Sequence, residues 1–180
     1  MPKLLSLFLL TFMLFGCTTK QTPEPQKSTT PSKPKMSYYS NETVGYKLQY
    51  NKDWKVAPPS TNTDIIIISN DGSFSPDPCL SINSVKIDKY DLWDKSNQTK
   101  ISKEIAPNLK PAEEHNITLA GDHAYNLVYG LERDGISIIF NQTYLFHNGY
   151  FIVITCSSRE EEYNRFNTIF NQLIKSIDFY

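Results

Sequence analysis

Two short glycine-containing turns near the end of the chain constrain its fold more than any other feature. Asp134-Gly135 follows the run Ala124-Tyr125-Asn126-Leu127-Val128-Tyr129 and precedes a second apolar-rich run, Ile136 to Phe146. Asn148-Gly149 leads into a third run, Tyr150 to Thr155. Asp-Gly and Asn-Gly both tolerate the positive φ that two-residue hairpin turns need. Upstream, Ile117-Thr118-Leu119 enters the same series through Ala120-Gly121-Asp122. The pattern predicts an antiparallel meander.

The last element reads as a helix. Tyr163, Phe166, Ile169, Phe170, Leu173, Ile174 and Ile177 recur at helical spacing, which gives one apolar face. Acids at 160 to 162 sit where the positive end of a helix dipole favours them, and Lys175 sits at the other end. Ser157 with Glu160, or Ser158 with Glu161, predicts a capping box. Earlier strands are expected at Val44–Tyr50, continuing through Trp54-Lys55-Val56 until Pro58-Pro59, at Ile65–Ile68, and at Leu80–Ile87. Asp91 to Ala106 is free of Gly and Pro, and Leu92, Ile101 and Ile105, with Trp93 nearby, predict a further helix. The order strands, helix, meander, helix specifies the α+β class: a central antiparallel sheet flanked by helices.

The N-terminus carries a different message. Lys3 precedes an apolar segment from Leu4 to Phe15, too short to span a hydrocarbon core of ~30 Å and suited to a signal peptide. It closes on Leu14-Phe15-Gly16-Cys17, which resembles a prokaryotic lipobox, with Phe15 where a small residue is usual. The resemblance implies that Cys17 is lipidated and becomes the new N-terminus, so that the protein is extracytoplasmic and membrane-anchored in the cell envelope. The other reading is a buried N-terminal helix with a chance cysteine. Residues 18–37 are Thr, Pro, Lys, Ser and Gln, with Glu24 their one acid and Met36 their one aliphatic side chain. They read as a disordered spacer, or as a basic arm that meets anionic headgroups. The expected organisation is a signal segment at 1–17, a linker at 18–37 and one globular domain at 38–180.

A formal net charge of -1 gives no footprint for a polyanion, and no nucleic-acid motif occurs. Cys79 and Cys156 remain once Cys17 is set aside. In an exported protein they are a candidate disulfide, or else two buried thiols. His115, His123 and His147 show no helical zinc spacing, and a hydrolase would need a site assembled around them from separate loops. Asp71, Ser73, Ser75 and Asp77 alternate as the oxygen ligands of a Ca²⁺ loop do, without the distal Glu of an EF-hand and with Pro76 between them. A plain polar loop is the other reading. Glu113 and Glu114 are adjacent and would face opposite sides of a strand. Tyr38, Tyr39, Tyr46, Tyr50, Tyr129 and Tyr144 could line a groove for sugar or peptide, or fill sheet faces.

Several landmarks then fall in an order that resembles one family. Gly45-Tyr46 with Tyr50 and Trp54, Gly121-Asp122-His123-Ala124-Tyr125, Asn148-Gly149-Tyr150, and Phe166 through Ser176-Ile177-Asp178-Phe179 are similar to the succession in PsbP-type domains. Asn51 stands where the family usually has Pro. The resemblance covers about residues 39 to 180 and implies an α/β/α sandwich. It also implies kinship with photosystem II extrinsic proteins, which assist calcium and chloride retention, and with prokaryotic lipoproteins of no assigned role. No ion site transfers residue by residue. The expectation is a non-enzymatic, lipid-anchored accessory or binding subunit for a membrane or envelope complex. The alternative is an ion or small-ligand module.

Overall fold

The computed structural model describes residues 35–58, 63–70, 76–87 and 113–180. The strands are β1 Met36–Asn41, β2 Tyr46–Asn51, β3 Lys55–Ala57, β4 Ile65–Ile68, β5 Cys79–Lys86, β6 Glu113–Leu119, β7 Asp122–Arg133, β8 Ile136–His147, β9 Tyr150–Arg159 and β10 Asp178–Phe179. One helix, α1, spans Glu160–Lys175. Seven strands form an antiparallel sheet in the order β3-β4-β5-β9-β8-β7-β6, and three form a second in the order β1-β2-β10.

The meander from β6 to β9 is as the turns require. Asp134 and Gly135 have φ of 54° and 74°, and Asn148 and Gly149 have 47° and 80°. Ala120 and Gly121 follow suit at 50° and 95°, which puts an alanine in the left-handed region. Alternation decides which side chains face inward. Along β9, Ile152, Ile154, Cys156 and Ser158 are buried while their neighbours are only partly so. Across the ladder, Leu145 opposes Ile152 and Ile154 opposes Ile82, so the large sheet has one continuous apolar face.

That face is covered by α1 and the small sheet together. Phe166, Phe170, Leu173 and Ile174 of α1, with Tyr46 and Leu48 of β2, pack on Ile65, Ile67, Leu80, Ile82, Leu145, Ile152 and Ile154. Each such side chain contributes about 1.5–3 kcal/mol of burial. On the other face, Tyr125, Leu127, Tyr129 and Tyr144 form a separate cluster with Phe140, Phe151 and Val153.

This corrects the expected α/β/α sandwich around a single central sheet. Among the described residues the architecture is mostly β: ten strands in two antiparallel sheets with one helix. The physical reason lies in the pairing of β2. Asn41 Oδ1 accepts from the backbone N–H groups of Thr43 and Val44, at 3.1 Å each, and closes a tight turn. That turn folds β1 back onto β2, so a strand read as part of the central sheet finds its partner locally. A small sheet then occupies part of the surface that flanking helices were expected to cover. The helix expected at 91–106 lies outside the described residues.

The helix start is also corrected. Arg159 is the N-cap and no side chain caps the first turn. The Ser158 hydroxyl donates to the Arg159 carbonyl instead, and Ser157 faces Cys79. Strand β9 runs directly into α1, so both serines are still strand residues, and Glu160, Glu161 and Glu162 supply the favourable charge.

Candidate functional site

The outward face of the small sheet is the first candidate surface. Met36, Tyr38 and Ser40 of β1 stand opposite Asn51, Gln49 and Lys47 of β2. Lys47 pairs with Asp178 of β10 at 3.0 Å, and its ammonium lies 5.9 Å from the Tyr180 ring centroid. Met36 and Tyr38, neighbours on one face of β1, are 43% and 72% exposed, and Tyr180 is 52% exposed beyond the Lys47–Asp178 pair.

Beside this face lies a groove of about 430 Å³, bounded by Met36 and Trp54 on one side and Ile169 and Leu173 of α1 on the other. Ser176 fixes its end. Its hydroxyl accepts from the Gln49 N–H at 3.0 Å and is shared between the carbonyls of Gln49 and Leu173, at 3.0 and 2.7 Å. The C-terminus of α1 is thereby pinned to the edge of β2. Trp54 packs against Phe166 at a tilt of 58°, with ring centroids 6.3 Å apart.

The tyrosines do not line one groove. Tyr39 and Tyr46 converge on Asp64: the Tyr46 hydroxyl donates to its carboxylate at 3.0 Å, and the Tyr39 hydroxyl donates to its carbonyl at 3.0 Å. The Ser84 hydroxyl donates to the other carboxylate oxygen at 2.9 Å. Asp64 thus joins the two sheets, and burial, reinforced by that carboxylate, pushes the Tyr46 phenol far up. Tyr129 and Tyr144 both donate to Gln142 on the opposite face of the large sheet. Tyr38 is solvent-facing, and Tyr50 is half-buried against the main core.

Cys79 and Cys156 are free thiols. Cys79 lies opposite Ser157, and Cys156 opposite Leu80, so the two project from opposite faces of adjacent strands. The candidate disulfide does not form in this geometry, because a one-residue offset reverses the face. Burial pushes both thiols up, Cys156 well above its ordinary value.

The histidines are likewise dispersed. His115 is exposed beside Glu113, and His123 is exposed at the start of β7. His147 was not linked to any partner by sequence, yet its Nδ1 lies 2.9 Å from Asp122 Oδ2. Its ring packs on Phe179 at 4.6 Å, and Asn148 Nδ2 bridges to its Nε2 and to the Tyr180 carbonyl. This corner clasps the end of the chain. Of the proposed Ca²⁺ ligands, Asp71, Ser73 and Ser75 lie outside the described residues, and so does Cys17; Asp77 is exposed. Among the described residues no group of three His, Cys, Asp or Glu could hold a metal ion. No helix among them is long and apolar enough to cross a membrane. Glu113 and Glu114 both lie exposed on β6.

The sequence profile of the PsbP-like protein family matches residues 11–179. The chain belongs to the PsbP-like family. The fold agrees. The solution structure of cyanobacterial PsbP (CyanoP) from Synechocystis sp. PCC 6803 superposes with a TM-score of 0.65 at 17% identity, covering 84% of this chain and 96% of that one. LpqN of Mycobacterium tuberculosis, described as involved in cell envelope biogenesis, gives 0.60 at 13% identity, covering 80% and 90%. PA94 of Pseudomonas aeruginosa, a protein of unknown function and putative regulator, gives 0.52 at 16%, covering 78% and 94%. No curated protein matches the sequence. At these identities the likeness is one of fold, and fold does not carry function with it.

Proposed function

We propose that this PsbP-like protein is a non-catalytic accessory domain, tethered to the extracytoplasmic side of a membrane through Cys17, that docks onto a protein of the cell envelope. One observation carries the docking: Met36 and Tyr38 are exposed side by side on β1, on the outward face of the small sheet. That face begins at Met36, within the last two residues of the 18–37 stretch that would lead to the membrane. The segment Leu4–Cys17 supports the tether. Membership of the PsbP-like family and the fold shared with an envelope-biogenesis protein support the setting.

The test is site-specific photocrosslinking in intact membranes. A photoreactive residue at Tyr38 should capture a discrete protein, one at Asp134 on the β7–β8 turn should not, and Cys17→Ala should abolish both capture and membrane retention. Equal capture at both positions, or none at either, would remove the docking face. Membrane retention of Cys17→Ala would remove the lipid tether.

A further inference from the structure

The groove beside Trp54 shares Met36 with the docking face, and its chemistry is distinct. We infer that this groove binds a neutral saccharide. Its described lining holds no charged side chain. Three amides border it instead, and each keeps hydrogen-bonding capacity. Gln49 Nε2 donates to the Tyr38 hydroxyl at 3.0 Å, leaving its Oε1. Asn51 Oδ1 accepts from the Asp53 N–H at 3.0 Å, leaving its Nδ2. Gln172 is exposed on α1, and its amide has no partner among the described residues.

A side-chain amide presents a donor and an acceptor without charge, which matches a hydroxyl that must do both. In this first hollow an anionic or cationic ligand would surrender hydration with no opposite charge in the described lining to receive it. The apolar side matches as well. Trp54 is half-buried, its indole N–H has no partner among the described residues, and Ile169 continues the apolar surface beside it. A pyranose has the same division: an axial C–H face that lies on an aromatic ring, and a rim of equatorial hydroxyls. The volume falls in the range of about 300–1,000 Å³ typical of small-ligand sites.

The groove is also extended. A second depression of about 220 Å³ shares Asn51, Trp54 and Ile169 with the first. Trp54 therefore separates two adjoining hollows, an arrangement that suits a chain of several rings better than a single one. Its second hollow adds Asp53 and Arg165, whose opposite charges favour neither an anionic nor a cationic ligand across the two hollows.

Saturation-transfer NMR on the full chain in polyoxyethylene detergent, which has no sugar headgroup, tests this. The probes, at about pH 5 where the three amines of chitotriose are protonated, are maltotriose, N,N′,N″-triacetylchitotriose, and chitotriose as the triply cationic counterpart. At least one neutral trisaccharide should receive saturation, and chitotriose should bind at least severalfold more weakly. Trp54→Ala should weaken binding about tenfold. Because Trp54 also touches Phe166, the exposed Gln172→Ala is the second variant, expected to lose severalfold with an unchanged circular dichroism spectrum. Tyr129→Phe, on the opposite face, should bind as the parent does. Failure of both neutral probes, equal binding of chitotriose, or binding unaltered by both groove variants would each overturn the assignment. Crosslinking at Tyr38 is read separately, so either result stands without the other.

Discussion

Gly45 offers a worked test of how the two ends of the domain are joined. Its φ is +85°, and a Cβ built there would lie 2.6 Å from the Tyr180 carbonyl oxygen and 3.1 Å from Asn148 Nδ2. The left-handed conformation alone costs a non-glycine residue about 1–2 kcal/mol. The clash adds to this, since it is with backbone and cannot be relieved by a rotamer change. The end of the chain must move, which breaks the 2.9 Å hydrogen bond from the Tyr180 N–H to the Gly45 carbonyl. That bond contributes about 0.5–1.5 kcal/mol. Movement also loosens Phe179 from Tyr46 and His147, now 6.2 and 4.6 Å away by ring centroids. Such ring contacts contribute a further ~0.5–1.5 kcal/mol. Gly45→Ala should therefore cost about 2–5 kcal/mol in all.

Gly121, Gly135 and Gly149 isolate the steric part. Their φ values are +95°, +74° and +80°, and a Cβ at each would meet nothing within 4 Å. Alanine at any of them should cost only the conformational ~1–2 kcal/mol. Urea unfolding followed by circular dichroism measures all four variants. The expected gap of about 1–3 kcal/mol corresponds to about 2–12 °C in Tm for a chain of this length. Deleting Tyr180 in the Gly45→Ala background should narrow the gap, as coupling between touching groups requires. Equal destabilisation by all four substitutions would refute the clasp.

Three further outcomes are expected. Asp64→Ala should cost about 1–3 kcal/mol by leaving the Tyr46 hydroxyl without its acceptor, and the same substitution made on Tyr46→Phe should cost less; equal cost in both backgrounds would show that the pair does not join the sheets. Tyr46, Tyr144 and Cys156 all have phenol or thiol groups that burial holds protonated, above ordinary values of 10.0 for tyrosine and 9.0 for cysteine. The folded state therefore retains protons that the unfolded chain releases. Stability should be fully present below about pH 9 and fall as pH rises beyond it. Urea midpoints constant to pH 11 would contradict this. Ala120→Gly should stabilise by about 0.5–1 kcal/mol, since glycine relieves the left-handed alanine at φ 50° while adding some unfolded-state entropy; a lower urea midpoint would count against it.

The sequence by itself determined the features that depend on neighbours along the chain. Asp134-Gly135 and Asn148-Gly149 set their hairpins because a two-residue turn is governed by the φ its own residues can adopt. The apolar stripe from Phe166 to Ile174 announced a helix and its buried face, since helical period is a local property. Landmarks from Gly45 to Phe179 were enough to name the family. What only the tertiary structure decided rests on which strand lies beside which, and in what register. Alternation told that β2 had an inner and an outer side, yet not that β1 and β10 would be its partners in a separate sheet. Cys79 and Cys156 were legible as a pair, and a one-residue offset between β5 and β9 turned them to opposite faces. The capping serines lost their role because β9 extends to Arg159, a length set by its pairing with β8. Asp122 meets His147, and Gln49, Asn51 and Trp54 meet Gln172, only because turns and packing bring distant segments together. Local propensity fixes dihedral angles a few residues at a time, whereas a groove is made by surfaces whose proximity no short stretch of sequence encodes.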